Sequence, residues 1–216
     1  MEIDVIIPSK SNAILKPMIE NCISSLRESE PNLNWNVILI ESGEKIDCGQ
    51  NITIDYDKSD FNYNHALNLG LSHAKNEWII LANNDLIFHK DFMFEILLAH
   101  AERPDILSFS PWNAMHNWHN FYFPKPKKII EGYRICAELV GWCIIVKREV
   151  FEKIELKEHV NFWYSDNVYA DELIKSGIKH ALISTSKVDH ITSQTKIVSN
   201  KEAKEAFSLY NREKSQ

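Results

Sequence analysis

Trp78-Ile79-Ile80-Leu81-Ala82-Asn83-Asn84-Asp85 decides how this chain folds. Five apolar residues run without a break, then give way to two amides and a carboxylate. A run of this length predicts a strand covered on both faces, delivering Asn83, Asn84 and Asp85 to the carboxyl edge of a sheet. In open α/β sheets that edge is where ligands bind. A carboxylate there can hold Mg²⁺ or Mn²⁺, and such an ion can bridge a diphosphate. Asn-Asn-Asp is also ordinary turn chemistry, so by itself the stretch reads as well as a strand ending in a polar turn.

Strand and helix patterns alternate on both sides of this run. Val5-Ile6-Ile7-Pro8 is a short strand stopped by proline, and Pro17 to Ser29 sets Ile19, Ile23 and Leu26 on one helical face. Trp35 to Ile40 is a second strand, closed by the turn Glu41-Ser42-Gly43, and Ile52 to Tyr56 a weaker third. Asn62 can cap a helix running to about Ala74. After Asp85 a helix is predicted over Lys90–His100, then a strand over Ile106–Phe109. Such alternation implies a parallel sheet with helices on both faces.

Beyond Pro111 the pattern changes. Residues 112–123 hold Trp112, Trp118, Phe121, Tyr122 and Phe123 beside His116 and His119, with Pro124 and Pro126 following. The segment is too aromatic for a linker and, with its prolines, is not expected to be helical. A strand over Leu139–Val146, short helices over Arg148–Ile154 and Asp166–Ser176, and a strand over Ala181–Ser184 complete the expected order, with Gly177 as a helix C-cap.

A length of 216 residues favours one domain, 44% hydrophobic and 25% charged residues are ordinary for a globular protein, and a net charge of −6 disfavours nucleic acid as partner. The expected division is a first half over 1–110, a second half over 111–196, and a charged C-terminal surface helix over 197–216. Cys22, Cys48, Cys136 and Cys143 form no CxxC pair and read as reduced thiols. The start Met1-Glu2-Ile3-Asp4 has no signal-peptide character, and no apolar run approaches the ~20 residues of a membrane span, so a cytoplasmic location is expected.

The order of motifs resembles family 2 glycosyltransferases over roughly residues 3–195. The resemblance is carried by Val5-Ile6-Ile7-Pro8-Ser9, Glu41-Ser42-Gly43, Asn68 with Gly70, and Asn83-Asn84-Asp85 in the place of the family's DxD motif. It continues through Gly141-Trp142 and the residues to Phe151, through Phe162-Trp163-Tyr164-Ser165-Asp166 as the acidic "ED" region, and through His190 with Ser193 and Thr195. It implies the GT-A fold, a Rossmann-like α/β domain with a mixed, mostly parallel sheet flanked by helices, in which 1–110 is the nucleotide-sugar-binding half and 111–196 the acceptor and catalytic half. It also implies transfer of a sugar from a UDP-, GDP- or dTDP-sugar to a glycan or other hydroxyl acceptor, with inversion, aided by Mn²⁺ or Mg²⁺.

Roles for individual residues follow from that resemblance and from chemistry. Asp85 is the expected metal or diphosphate contact, with His190 as second ligand through neutral imidazole; the latter is alternatively a histidine satisfied by Asp189. Asn83 takes the first acidic position, where it would hydrogen-bond ribose or base rather than grip a metal; members with this Asn-Asn-Asp form look like rhamnosyl-type transferases. Asp166, near a predicted helix N-terminus, is the expected base that takes the acceptor's proton, and is equally compatible with an N-cap. Glu41 stands where the family holds an aspartate that contacts the nucleobase. Pro8 and Ser9 would border base and ribose, and Asn68 and Asn84 complete the donor side. Trp112, Trp118 and Trp142 are candidates for the acceptor side, with Gly141 beside them, because sugar C–H faces pack on aromatic rings. Two alternatives stay open: a nucleotidyltransferase on a related sheet, although Pro8-Ser9-Lys10-Ser11-Asn12 lacks the glycines that reading wants, and a nucleotide-sugar-binding module without turnover.

Overall fold

A computed structural model describes residues 1–57, 60–113, 115, 118–160, 163–191, 205 and 207–211, the side chain of Trp118 excepted. The first half of the chain builds four parallel strands, β1 (Glu2–Ser9), β2 (Asn34–Glu41), β3 (Ile52–Asp55) and β4 (Trp78–Ala82). Their spatial order is β3-β2-β1-β4, connected through α1 (Lys16–Ser29) and α2 (Tyr63–Leu71). The second half supplies β5 (Leu86–Phe88), α3 (Phe92–Glu102), β6 (Ile106–Asn113), α4 (Trp118–Tyr122) and β7 (Ile129–Glu131). After these come β8 (Cys143–Lys147), a 3₁₀ turn at Arg148–Glu152, α5 (Ser165–Lys175) and β9 (Lys179–His190). The sheet continues past β4 as β8-β6-β9-β5, with β7 also on β9. Strand β8 runs antiparallel between β4 and β6, β5 and β7 are antiparallel to β9, and the rest is parallel. The sheet is therefore mixed and mostly parallel.

Continuous apolar strands are needed because both faces are covered. Side chains alternate across each strand, so Ile3, Val5 and Ile7 of β1 join the core with α1 and α3, while Ile6 faces α2 and α5. The same split divides Val37 and Leu39 from Ile38 and Ile40, and Ile80 from Ile79 and Leu81. Gly70 is the contact that lets α2 lie close: a Cβ there would come 2.3 Å from Ile6 Cγ2.

Helix α2 begins where the sequence predicts, with the Asn62 side chain accepting from the His65 N–H at 2.9 Å. Helix α3 starts two residues later than expected, because Asp91 adopts a left-handed φ of 65° and the carboxylate of Glu30, from the end of α1, accepts from Met93 and Phe94 N–H. Several expectations fail: β1 runs through Pro8 to Ser9, and the last strand, expected over Ala181–Ser184, runs from Lys179 to His190. Strand β6 does not stop at Phe109 but runs to Asn113 beside β9, so the chain stays in the sheet through Pro111. The aromatic segment does form a short helix, α4, because its prolines flank residues 118–122 rather than interrupt them. The strand expected from Leu139 begins only at Cys143, since Ala137 and Leu139 turn their N–H groups onto the Arg134 carbonyl. Strands β5 and β7 are additional. Of the expected C-terminal helix, residues 205 and 207–211 are helical; the remainder lies outside the described residues. No helix among the described residues is long and apolar enough to cross a membrane.

Candidate active site

Strand β4 ends at Ala82 and the turn Asn83-Asn84-Asp85 follows at the carboxyl edge of the parallel strands, as its sequence predicts. Three elements hold Asn83. Its N–H donates to the Trp142 carbonyl at 2.9 Å, its own carbonyl accepts from the Cys22 thiol at 3.6 Å, and its side-chain Oδ1 accepts from the Tyr63 hydroxyl at 3.0 Å. Cys22 and Cys143 are fully buried and unoxidised behind this turn, and burial pushes the Cys22 thiol up to about 12. Asn84 and Asp85 are buried.

The long strand β9 brings the second group. Its register with β5 sets His190 opposite Leu86, the residue after Asp85, and the Ile191 N–H donates to the Asp85 carbonyl at 3.0 Å. His190 Nε2 thereby stands 3.3 Å from Asp85 Oδ1. Both atoms are buried, and neither makes a hydrogen bond. The imidazole also stacks on the Trp142 ring, centroids 5.3 Å apart and planes 20° apart. Asp189 does not satisfy His190; strand alternation turns it to the other face, where it pairs with His89 at 2.9 Å. A bare carboxylate oxygen and a bare imidazole nitrogen facing each other suit a divalent ion. Among the described residues no group of three or more His, Cys, Asp or Glu side chains is placed to hold a metal ion, so an ion held here would complete its shell with oxygens from elsewhere.

Asp166 lies in the first turn of α5, on the same side of the sheet edge. Helix α5 starts after Tyr164, which takes a left-handed φ of 67°, and Asp166 Oδ1 accepts from the Asn167 N–H at 2.9 Å. The carboxylate packs directly on Gly141: a Cβ at that glycine would come 2.7 Å from Asp166 Cβ and 3.1 Å from Oδ2. Gly141 precedes Trp142, so one dipeptide touches Asp166 on one side and His190 and Asn83 on the other. Burial raises the Asp166 carboxyl above its ordinary value. Burial likewise raises the Tyr63 phenol, with Cys143, Asp166 and Asp85 adding to the effect, so both carboxylates lie within electrostatic reach of one hydroxyl.

Five expected contact residues are placed otherwise. Glu41 ends β2, but its Oε1 accepts from Ser11 and Gly43 N–H at 2.7 Å each and Oε2 accepts from the Ser11 hydroxyl. With 4% exposure it folds the loop after β1 instead of presenting an open carboxylate to a nucleobase. Pro8 and Ser9 are buried in β1, and Ser9 shares a hydroxyl contact with Ser11 at 3.2 Å. Asn68 turns away from the strand ends; its Nδ2 donates to the Leu156 carbonyl and to Glu158, pinning the loop before α5. Trp112 is a strand residue with its ring buried between His119, at 4.8 Å, and Lys187, whose Nζ lies 4.7 Å from the ring centre. It is not an open acceptor wall. His119 is itself a core group: it accepts from the Asn113 N–H, and burial with the neighbouring Lys187 lowers it to about 4. Among the described side chains of the segment, the exposed rings are Phe121, at 83%, and Tyr122. Trp118 opens α4, and its side chain, like His116, Phe162, Ser193 and Thr195, lies outside the described residues. Tyr63 and the Trp142–His190 stack were not anticipated; the only sequence signal for Tyr63 is its place directly after a helix cap.

Comparison with known proteins adds three findings. The family model described as "Glycosyl transferase family 2" matches residues 4–172. Among solved structures the fold is similar to S. aureus TarS (residues 1–349), with a TM-score of 0.63 and 11% identity over 87% of this chain and 59% of that one, so the chain spans under two thirds of that relative's length. No curated protein sequence matches.

Proposed function

The chain belongs to glycosyl transferase family 2, and from that premise we propose that it moves a sugar from a nucleoside-diphosphate sugar to a hydroxyl acceptor, with inversion. The supporting observation is the convergence of two different chemistries on the Gly141-Trp142 dipeptide: the unsatisfied Asp85–His190 pair on one side and the Asp166 carboxylate on the other. Asp85 and His190 would hold Mn²⁺ or Mg²⁺, which when bound neutralises the diphosphate charge as the glycosidic bond breaks. Asn83 and Asn84 border the same diphosphate. Asp166 accepts the proton of the acceptor hydroxyl as that oxygen attacks the anomeric carbon from the face opposite the leaving group, which inverts the centre. Burial makes Asp166 a stronger base than a solvated aspartate. Trp142, half-buried between the two, offers an apolar face to sugar C–H groups. On this reading residues 1–110 supply most of the donor contacts, while 111–196 supply the acceptor chemistry and lend His190 to the donor's metal.

A non-catalytic binding module is the second reading, favoured by the amide at Asn83 where an acid would strengthen the metal site. A panel of UDP-, GDP- and dTDP-sugars with Mn²⁺, read as release of nucleoside diphosphate, separates the two. Release from one donor that disappears on Asp166→Asn supports transfer. Tight binding of a donor with no release from any leaves a binding module.

A further inference from the structure

Asn83 is the point where this chain departs from an acidic metal motif, and its surroundings are specific. Its backbone is tied to Trp142 and to Cys22, and its side-chain oxygen accepts from Tyr63 Oη at 3.0 Å. An amide has two ends, one accepting and one donating. Since Tyr63 takes the oxygen end, the Nδ2 amino group is the end left for anything entering the cleft. Among the described residues no group accepts from Nδ2, although Asn83 is half-exposed rather than buried. The phenol sits at the first position of α2, directly after the Asn62 cap, so the helix start fixes its place. Burial, and then the nearby Cys143, Asp166 and Asp85, keep the phenol in its protonated form, which donates.

We propose that Tyr63 is a positioning residue that orients the Asn83 carboxamide so that its Nδ2 donates to an oxygen of the bound nucleoside diphosphate. The proposal rests on the donor reading above and deepens it. An acid at position 83 would repel diphosphate oxygens unless a cation intervened. A fixed amide donates to them directly, so part of the donor affinity is independent of metal. The amide cannot do this reliably if it is free to rotate, because its oxygen would then face the anion half of the time.

The test is a double-mutant cycle read by calorimetry, using whichever of UDP, GDP and dTDP wild type binds tightest, with and without Mn²⁺. Absence of binding to all three would remove the donor reading itself, before Tyr63 is questioned. Given binding, Tyr63→Phe keeps the buried ring and should weaken affinity by roughly 5-fold, the size of one neutral hydrogen bond. Asn83→Ala should weaken it at least as much. Tyr63→Phe in the Asn83→Ala background should then do nothing further, whereas an equal loss in both backgrounds would make Tyr63 merely structural and overturn the proposal. Asn83→Asp, with one oxygen taken by Tyr63, should bind Mn²⁺ more tightly without nucleotide and bind nucleotide more weakly without Mn²⁺. Unchanged metal dependence in that variant also overturns it. Inorganic pyrophosphate as a second probe locates the contacted oxygen: a Tyr63→Phe effect on pyrophosphate places it on phosphate, and one on the nucleotide alone places it on ribose.

Discussion

Asp85 Oδ1 and His190 Nε2 stand 3.3 Å apart, both buried and neither hydrogen-bonded. An unsatisfied buried acceptor or donor is normally costly, on the order of 1–3 kcal/mol each. Two of them facing one another, on residues far apart in sequence, are an arrangement that a cation relieves. Asp85→Asn and His190→Gln should each abolish or severely reduce the Mn²⁺-dependent part of nucleoside-diphosphate binding while leaving the fold intact. Calorimetry of the ion titrated into protein with saturating nucleotide measures it, and wild-type metal dependence in both variants would remove the pair from the donor site.

Asp166→Asn should lower transfer by roughly 10²–10⁴, the range for loss of a general base, while donor binding stays near wild type. Its effect on stability has the opposite sign. The folded carboxyl is raised above its ordinary value, so the stability it contributes is present at low pH and lost as pH rises through the folded value. At neutral pH the wild-type carboxylate is therefore a burden, and the Asn variant should melt at the same or a higher temperature. The acid limb of the wild-type rate profile should likewise sit above the ~3.9 of an ordinary aspartate. A melting temperature that falls together with activity would mark Asp166 as a structural cap.

Gly141→Ala probes position rather than chemistry. The added methyl would come 2.7 Å from Asp166 Cβ, so either α5 or the loop must shift. A displacement of that kind should reduce kcat by roughly 10², with donor affinity little changed. Steady-state kinetics that show a rise in KM for donor at constant kcat would mean that the Gly141 contact does not position Asp166 for proton transfer.

A buried polar chain predicts acid sensitivity. The Ser108 hydroxyl lies 2.9 Å from the Tyr169 hydroxyl and 2.8 Å from His180 Nδ1, and His180 Nε2 lies 3.1 Å from the Glu138 carbonyl. Burial lowers His180 to about 4, and His119 is lowered to about 4 as well. Unfolded histidine titrates near ~6.5, so the stability these neutral rings contribute is full above that value and lost as pH falls toward about 4. Melting temperature should decline across that window. His180→Gln should flatten part of the slope while lowering the melting point at pH 7, and a slope identical to wild type would show that the ring is not held neutral.

Local sequence carried the parallel half of the sheet. The apolar runs at Val5, Trp35 and Trp78 became strands covered on both faces, the weaker run at Ile52 became the exposed edge strand β3, and the turn at Asn83-Asn84-Asp85 landed at the strand ends, because periodicity and apolar run length act over a few residues. The same is true of the Asn62 cap and of the helix stop at Gly177, which with a φ of 65° directly follows the C-cap residue Ser176. What local pattern could not decide was pairing. The extension of β6 through Trp112 depends on β9, and that of β9 to His190 on β5, which propensity within any one segment does not encode. The first pairing moved Trp112 from acceptor wall to core, and the second set His190, rather than its neighbour Asp189, at Asp85. Identity at a position also did not reveal occupancy: Glu41 and Asn68 have suitable chemistry, but their polar atoms are taken by Ser11, Gly43, Leu156 and Glu158, partners visible only once the loops are folded. The sequence by itself determined which groups the protein owns and which strand end presents Asp85. The tertiary structure decided which groups remain unsatisfied and face one another, because a hydrogen bond or its absence is a property of two segments brought within about 3 Å, not of either segment alone.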